Sequence, residues 1–222
     1  MRYFPVFLDL ESKTCLVVGA GPVGRRKIST LKKCCAGTII VIDPGAADDP
    51  LLEDESIQLI SRSFQPGDVD GCHLVFACTP DHEINRQVAR ICRRKNIWCN
   101  TATDPDQGDL VLPAVLERGD LILAVSTCGA SPALSARIKK ELASTYGPEY
   151  ASLTTLMSRV RKHVLPLGLP QEENQRIFHA LLDSDAAELM KKGDRQGLHR
   201  LLQSLLPSGV HNHIQEMIHA LF

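Results

Sequence analysis

The chain has 222 residues and a net charge of −1, from 25 Lys plus Arg against 26 Asp plus Glu. With 44% hydrophobic and 23% charged residues, it is neither a disordered chain nor a strongly basic nucleic-acid binder. No apolar run reaches the roughly 18 residues that span a bilayer. The opening MRYFPVFLDLESK carries one Arg, a broken apolar run and no small-residue cleavage site, so no signal peptide is expected and the cytoplasm is the expected compartment. None of the eight cysteines forms a C-x-x-C pair. They read as small hydrophobes kept reduced, with one of the adjacent Cys34 and Cys35 buried and the other nearer the surface.

The first 100 residues alternate between two periods. Thr14–Val18 (TCLVV) is a short apolar strand running into glycine, and Pro22–Cys35 follows with helical character. Thr38–Ile42 (TIIVI) is β-branched and ends at Asp43; Ser56–Ile60 is a further candidate strand, followed by a turn at Gln65-Pro66-Gly67. Leu74–Ala77 (LVFA) is a core strand, and Thr79-Pro80-Asp81 a polar turn after it. Asp81 is placed to cap a helix reaching about Arg94, with Ile84, Val88, Ile91 and Cys92 on one face. Ile97–Asn100 is the next strand. Apolar strands alternating with helices predict an α/β, Rossmann-like parallel sheet covered on both sides.

After Asn100 the pattern changes. Thr101–Asp109 is a polar loop, and Leu110–Pro113 and Leu121–Ser126 are strand-like runs flanking a turn at Glu117–Asp120, which predicts a hairpin. Ser131-Pro132 opens a helix with Leu134, Ile138 and Leu142 spaced by four, and Gly147-Pro148 breaks it. Beyond, helix-spaced apolar residues recur (Leu153, Leu156, Val160, Val164; Ile177, Leu181, Leu182; Ile214, Met217, Ile218, Leu221, Phe222). The expected organisation is a dinucleotide-binding domain over 1–109, a central dimerisation segment over 110–147 and a small C-terminal helical domain over 148–222. The helix with Leu134, Ile138 and Leu142 is expected to bury against a twofold partner.

The strongest local motif is Gly19-Ala20-Gly21-Pro22-Val23-Gly24, set between a strand and a helix, with Asp43 at the end of the next strand, 19 residues after Gly24. Gly19 permits the tight turn, Gly21 lets backbone approach a pyrophosphate, and Gly24 lets helix and strand pack closely. The helix N-terminus, with Pro22 and Val23 in its first turn, offers N–H groups and a partial positive charge to phosphates. Asp43 would accept from the adenosine ribose hydroxyls, and its charge favours NAD over NADP; the adjoining Arg25, Arg26 and Lys27 weaken that preference. A ligand-free glycine turn and a flavin or other nucleotide remain open readings. Thr79 belongs at the carboxyl edge of the sheet, either lining the nicotinamide side or serving only the helix start. No His/Cys/Asp cluster has metal-ligand spacing, so no metal is expected; His211, His213 and His219 read as solvated or partner-facing.

Several of these motifs together resemble the precorrin-2 dehydrogenase family, also found as the N-terminal domain of siroheme synthases. The resemblance rests on FPVFLDLESKTCLVVGAGPVGRRKISTL, on FACTPDHEIN with its early Asn85, and on WCN followed by LVLPAVLERGDLILAVSTCGASPALSARIKKEL. It covers about residues 1–147 in order, and the helical tail agrees in type and length. It implies a homodimeric enzyme that oxidises precorrin-2 to sirohydrochlorin with NAD as hydride acceptor, some members also inserting iron. The family's Cys-Asn-x-x-Asp pattern places an aspartate where this chain has Thr103; Asp104 is the next residue and the favoured candidate for general base, with Thr103 on the substrate side. The substrate's carboxylates call for hydroxyl and cationic donors, for which Ser126, Thr127, Ser131 and Arg137 are the candidates, and the loop before Pro132 is a candidate anion site. Alternatives are a bifunctional dehydrogenase and ferrochelatase, a non-catalytic NAD-sensing module, and a tetrapyrrole carrier with a relict NAD site. No nucleic-acid or membrane partner is expected.

Overall fold

The computed structural model describes residues 2–46 and 50–222. Their contacts divide into two compact units, Met1–Leu112 and Pro113–Phe222. Among the described residues no helix is long and apolar enough to cross a membrane.

The first unit is a five-stranded parallel sheet in the order β3-β2-β1-β4-β5. Its strands are β1 (Thr14–Val18), β2 (Thr38–Ile42), β3 (Ile57–Ile60), β4 (Leu74–Ala77) and β5 (Trp98–Thr101). Helix α1 (Pro22–Lys33) follows β1, and α2 (His82–Lys95) follows β4. The side-chain period of two divides β1 cleanly. Cys15 and Val17 pack with Ile28, Leu31, Ile39 and Val41 on one face. Leu16 and Val18 pack with Val75, Val88, Ala89 and Cys92 on the other. Both faces of the central strands are therefore covered, which is why they read as continuous apolar runs. Chain order reverses between β1 and β4, so the crevice at their carboxyl ends is the topological switch point where open α/β sheets bind ligands.

Cysteines fill this interior: burial pushes the Cys15, Cys72 and Cys78 thiols up to about 11, so they stay protonated and inert. Cys34 and Cys35, by contrast, are both exposed, which corrects the expectation that one of them is buried. The helix ends at Lys33, and Cys35 takes a left-handed conformation (φ 51°) in the turn beyond it, so neither continues the buried stripe.

The second unit opens with an antiparallel hairpin, β6 (Ala114–Arg118) and β7 (Leu121–Val125). The expected first strand at Leu110–Pro113 is displaced: pairing begins only after Pro113, which has no N–H for a ladder. Seven residues beyond β7, α3 (Pro132–Thr145) begins. Five further helices follow: α4 (Glu149–Val164), α5 (Gln171–Leu182), α6 (Ala186–Lys192), α7 (Arg195–Leu205) and α8 (Ile214–Ile218). They enclose a core of their own around Leu156, Val160, Leu181, Leu198, Leu202, Ile214 and Met217.

Candidate active site

The β1–α1 turn is shaped by contacts that exclude side chains. Gly19 has φ +96°, and a Cβ on it would sit 2.8 Å from the Cys78 carbonyl and the Thr79 nitrogen. A Cβ on Gly24 would lie 1.9 Å from the Gly19 oxygen. A Cβ on Gly21 would meet nothing within 4 Å. Gly19 and Gly24 are thus required by the protein's own packing, whereas the open side of Gly21 is a cradle. Gly21 also caps α1 with no side-chain partner for the helix's first N–H groups, Pro22 supplies none, and the first turn carries no acidic residue. These features fit the diphosphate of a dinucleotide.

Asp43 is tied into the same corner. Its Oδ2 accepts from Ala20 N at 2.7 Å and its Oδ1 from Gly45 N at 2.7 Å. Each oxygen keeps a further lone pair for a ribose hydroxyl. Arg25 Nε donates to the Ala20 oxygen at 3.0 Å, so this cation braces the loop as well. Burial lowers the Lys27 ammonium below its ordinary value.

Because Gly19 touches the Cys78–Thr79 peptide, the turns after β1 and β4 are one structure. A third element joins them through Asn85, which is buried in the first turn of α2. Asn85 Oδ1 accepts from Thr79 N at 3.1 Å, and its Nδ2 donates to the Thr79 oxygen at 2.9 Å and to Thr103 Oγ1 at 3.1 Å. Thr79 Oγ1 lies 2.9 Å from both Asn85 Oδ1 and the Asp81 oxygen, giving its proton to one at a time. Asp81 meanwhile caps α2 through Glu83 N and Ile84 N. The chain of contacts Gly19–Thr79–Asn85–Thr103 therefore runs along the carboxyl edges of β1, β4 and β5. Thr103 Oγ1 accepts from Asn85, which leaves its own proton for an outside acceptor.

Asp104, one residue on, is half-buried and starts a turn: its Oδ1 accepts from Asp106 N at 3.2 Å, and its carbonyl accepts from Gln107 N and the Thr101 hydroxyl. Of the two residues, Thr103 is the one in hydrogen-bond contact with Asn85. Asn85 had no role assigned from sequence, although a signal existed: it is a polar residue on the apolar face of α2, four positions before Ala89 and seven before Cys92, where only a fully bonded side chain belongs.

In the second unit, Ser131 caps α3 by accepting from Leu134 N at 3.2 Å. Thr127 Oγ1 accepts from Ser131 N at 3.0 Å and lies 3.2 Å from Ser135 Oγ, while Ser126 Oγ accepts from Cys128 N at 3.0 Å. Ala130 N donates to the Thr127 carbonyl. The loop's hydrogen bonds thus turn largely inward to hold its own shape. Arg137, on the exposed side of α3, pairs with Glu141 at 2.9 Å.

With this geometry in view, two successive stretches match known families: residues 6–114 the one described as "Putative NAD(P)-binding", and residues 118–145 the "Sirohaem biosynthesis protein central" family. SirC, a precorrin-2 dehydrogenase, superposes with a TM-score of 0.76 at 25% identity, over 91% of this chain and 98% of that one. This chain belongs to the precorrin-2 dehydrogenase and siroheme synthase N-terminal-domain family. Siroheme synthases of Thioalkalivibrio sulfidiphilus and Nitrosomonas europaea are each 32% identical to it, over 95% and 93% of this chain. The chain spans 43% and 44% of the length of those two relatives. The parallel sheet with its covering helices, and the helical C-terminal region, match the α/β fold expected from the sequence.

Proposed function

We propose that this chain oxidises precorrin-2 to sirohydrochlorin, with NAD as the acceptor, as a step in making siroheme. The observation that carries the reading is the single constellation from the Gly21 cradle through Thr79 and Asn85 to Thr103, at the switch point of the sheet. When bound, NAD accepts a hydride from the substrate. The chain's residues do the rest. The α1 N-terminus and Gly21 hold the diphosphate, Asp43 takes the adenosine ribose and disfavours a 2′-phosphate, and Thr79 stands on the nicotinamide side.

Loss of a hydride leaves a proton to be removed, and Asp104 is assigned as its acceptor. Its Oδ2 has no partner within the turn that occupies Oδ1. Thr103, positioned by Asn85, offers a hydroxyl proton to the substrate. Ser126, Thr127, Ser131 and Arg137 are assigned to the substrate's carboxylates. The NAD-sensing alternative is disfavoured because the βαβ alternation ends at β5 and gives way to a hairpin and helices.

The test is anaerobic incubation with precorrin-2 and NAD, read as NADH absorbance. Asp104→Asn is expected to lower turnover by about 10²–10⁴-fold with dinucleotide affinity unchanged, and Thr103→Ala by a smaller factor. Full turnover in Asp104→Asn overturns the base assignment, and no NADH from the unaltered chain overturns the activity. Ferrous ion added afterward reads the bifunctional alternative.

We further assign a cytoplasmic location, the domain division 1–109, 110–147 and 148–222, and a homodimer built on the central segment. In α3 only Ser135 is buried, and Val115, Ile122 and Leu134 are exposed apolar residues of the hairpin and helix. So much apolar surface on so small an element calls for a partner. Light scattering is expected to give twice the 24.4 kDa chain mass; a single-chain mass at micromolar concentration sinks the assignment.

A further inference from the structure

The second unit holds a cluster that the dehydrogenase reaction does not use. His163, in the last turn of α4, meets His213 and Glu216 at the start of α8. Glu216 Oε2 lies 3.8 Å from His163 Nε2 and 3.6 Å from His213 Nδ1. The two imidazoles stack with centroids 4.4 Å apart and planes 26° from parallel. One ligand atom from each of the three residues falls within 4.8 Å of the others. We infer that His163, His213 and Glu216 form a binding site for a zinc-class divalent cation that clamps the C-terminal segment onto α4.

The donor set decides the class. Two neutral imidazoles and a carboxylate suit Zn²⁺, Co²⁺ or Ni²⁺, whereas Mg²⁺ and Ca²⁺ take oxygen ligands. Bonds of 2.0–2.1 Å in a tetrahedron separate ligand atoms by about 3.3 Å, so the histidine–carboxylate distances of 3.8 and 3.6 Å stand near that span, and a shared ion turns the two imidazoles out of their stack until their nitrogens converge on it. His213 and Glu216 are three apart on one helical turn, the spacing that puts two side chains on one face.

The backbone carrying them is fixed independently of any ion. Arg159, one turn before His163, donates from Nη1 to the carbonyls of Met217 at 2.9 Å and His219 at 2.6 Å, with Glu216 at 3.3 Å. Ser152 Oγ donates to the Leu221 carbonyl at 2.6 Å. His211 is not part of the set, since its Nε2 is 2.8 Å from the Leu206 carbonyl. The side chains of His213 and Glu216 are 41% and 64% exposed and that of His163 17%, so an ion enters from solvent and keeps water in its remaining position. Sequence spacing concealed the site because 50 residues separate His163 from His213.

The test uses the whole chain. Cobalt titration is expected to show one equivalent bound, with visible bands of a nitrogen and oxygen site. Zinc at about a hundred times its dissociation constant is expected to raise the melting temperature by about 5–10 °C, reversed by chelator. Glu216 is exposed and His213 half-buried; Glu216→Gln is expected to fold with a metal-free melting temperature near that of the parent and His213→Asn with one a few degrees lower at most, and both to bind at least tenfold more weakly and to lose the rise. Variants that keep the parent's affinity and rise overturn the site. So does a cobalt spectrum dominated by thiolate charge transfer, which places the ion on Cys34, Cys35 or Cys128. No arm of the experiment depends on dinucleotide or tetrapyrrole binding.

Discussion

Gly24→Ala is expected to lose dinucleotide binding and stability together, whereas Gly21→Ala loses binding alone. The Gly24 Cβ would overlap a backbone oxygen at 1.9 Å and a backbone carbon at 2.9 Å, both of Gly19. Neither atom is the end of a flexible side chain, so α1 must move off β1. A displacement of that kind costs about 3 kcal/mol, or roughly 6–12 °C in melting temperature for a chain of this size, and the affinity for NADH falls more than about 100-fold as the phosphate corner opens. Gly21 has an extended backbone (φ −66°, ψ −175°) that alanine adopts without strain, and its Cβ would meet no protein atom. Its replacement costs less than about 1 kcal/mol of stability, yet the methyl fills the space through which a diphosphate reaches the helix N-terminus. Fluorescence titration with NADH and thermal melts on the two variants separate the effects. Parental affinity in Gly21→Ala sinks the assignment of that cradle to the phosphates.

The second large effect is expected at Asn85. Replacement by Ala strips a partner from Thr79 N, the Thr79 carbonyl and Thr103 Oγ1 at once. Leaving a buried backbone group unsatisfied costs about 1–3 kcal/mol, so the total is about 3–5 kcal/mol, read as a lower urea midpoint. Turnover is expected to fall further than the stability loss explains, because Thr79 and Thr103 are the residues proposed for the nicotinamide and the substrate. Asn85→Asp is not a rescue: a carboxylate has no proton to give to the Thr79 carbonyl or to Thr103. Asn85→Ala within 1 kcal/mol of the parent, with normal turnover, removes the proposed coupling of the two loops.

Some of this was legible in the chain's own letters. The glycine turn was, because Gly24 is forced by Gly19 five residues before it and Gly19 by its own positive φ, both of which spacing encodes, although the contact of Gly19 with the Cys78–Thr79 peptide is a fact of sheet order. The parallel sheet was, because strands buried on both faces cannot alternate. Asn85 was harder: which two turns it bridges depends on β4 and β5 being neighbours, a fact of sheet order rather than of helix period. The first hairpin strand was misplaced by the apolar run Leu110–Pro113, since hydrophobicity there says nothing about where ladder pairing starts and proline forbids it. The exposed Cys34 and Cys35 escaped because the helix stopped one residue before them. His163 and Glu216 drew no notice because a shared site built from distant segments leaves no spacing to read.

The double engagement of Asp43 constrains how cofactor choice can evolve. The acid that would greet the sugar is also the staple of the corner, holding the amides of Ala20 and Gly45. A lineage drifting toward the phosphorylated coenzyme cannot simply discard that negative charge. It must first find another anchor for two peptide groups, and until it does, each neutral replacement trades selectivity against the integrity of the bend itself.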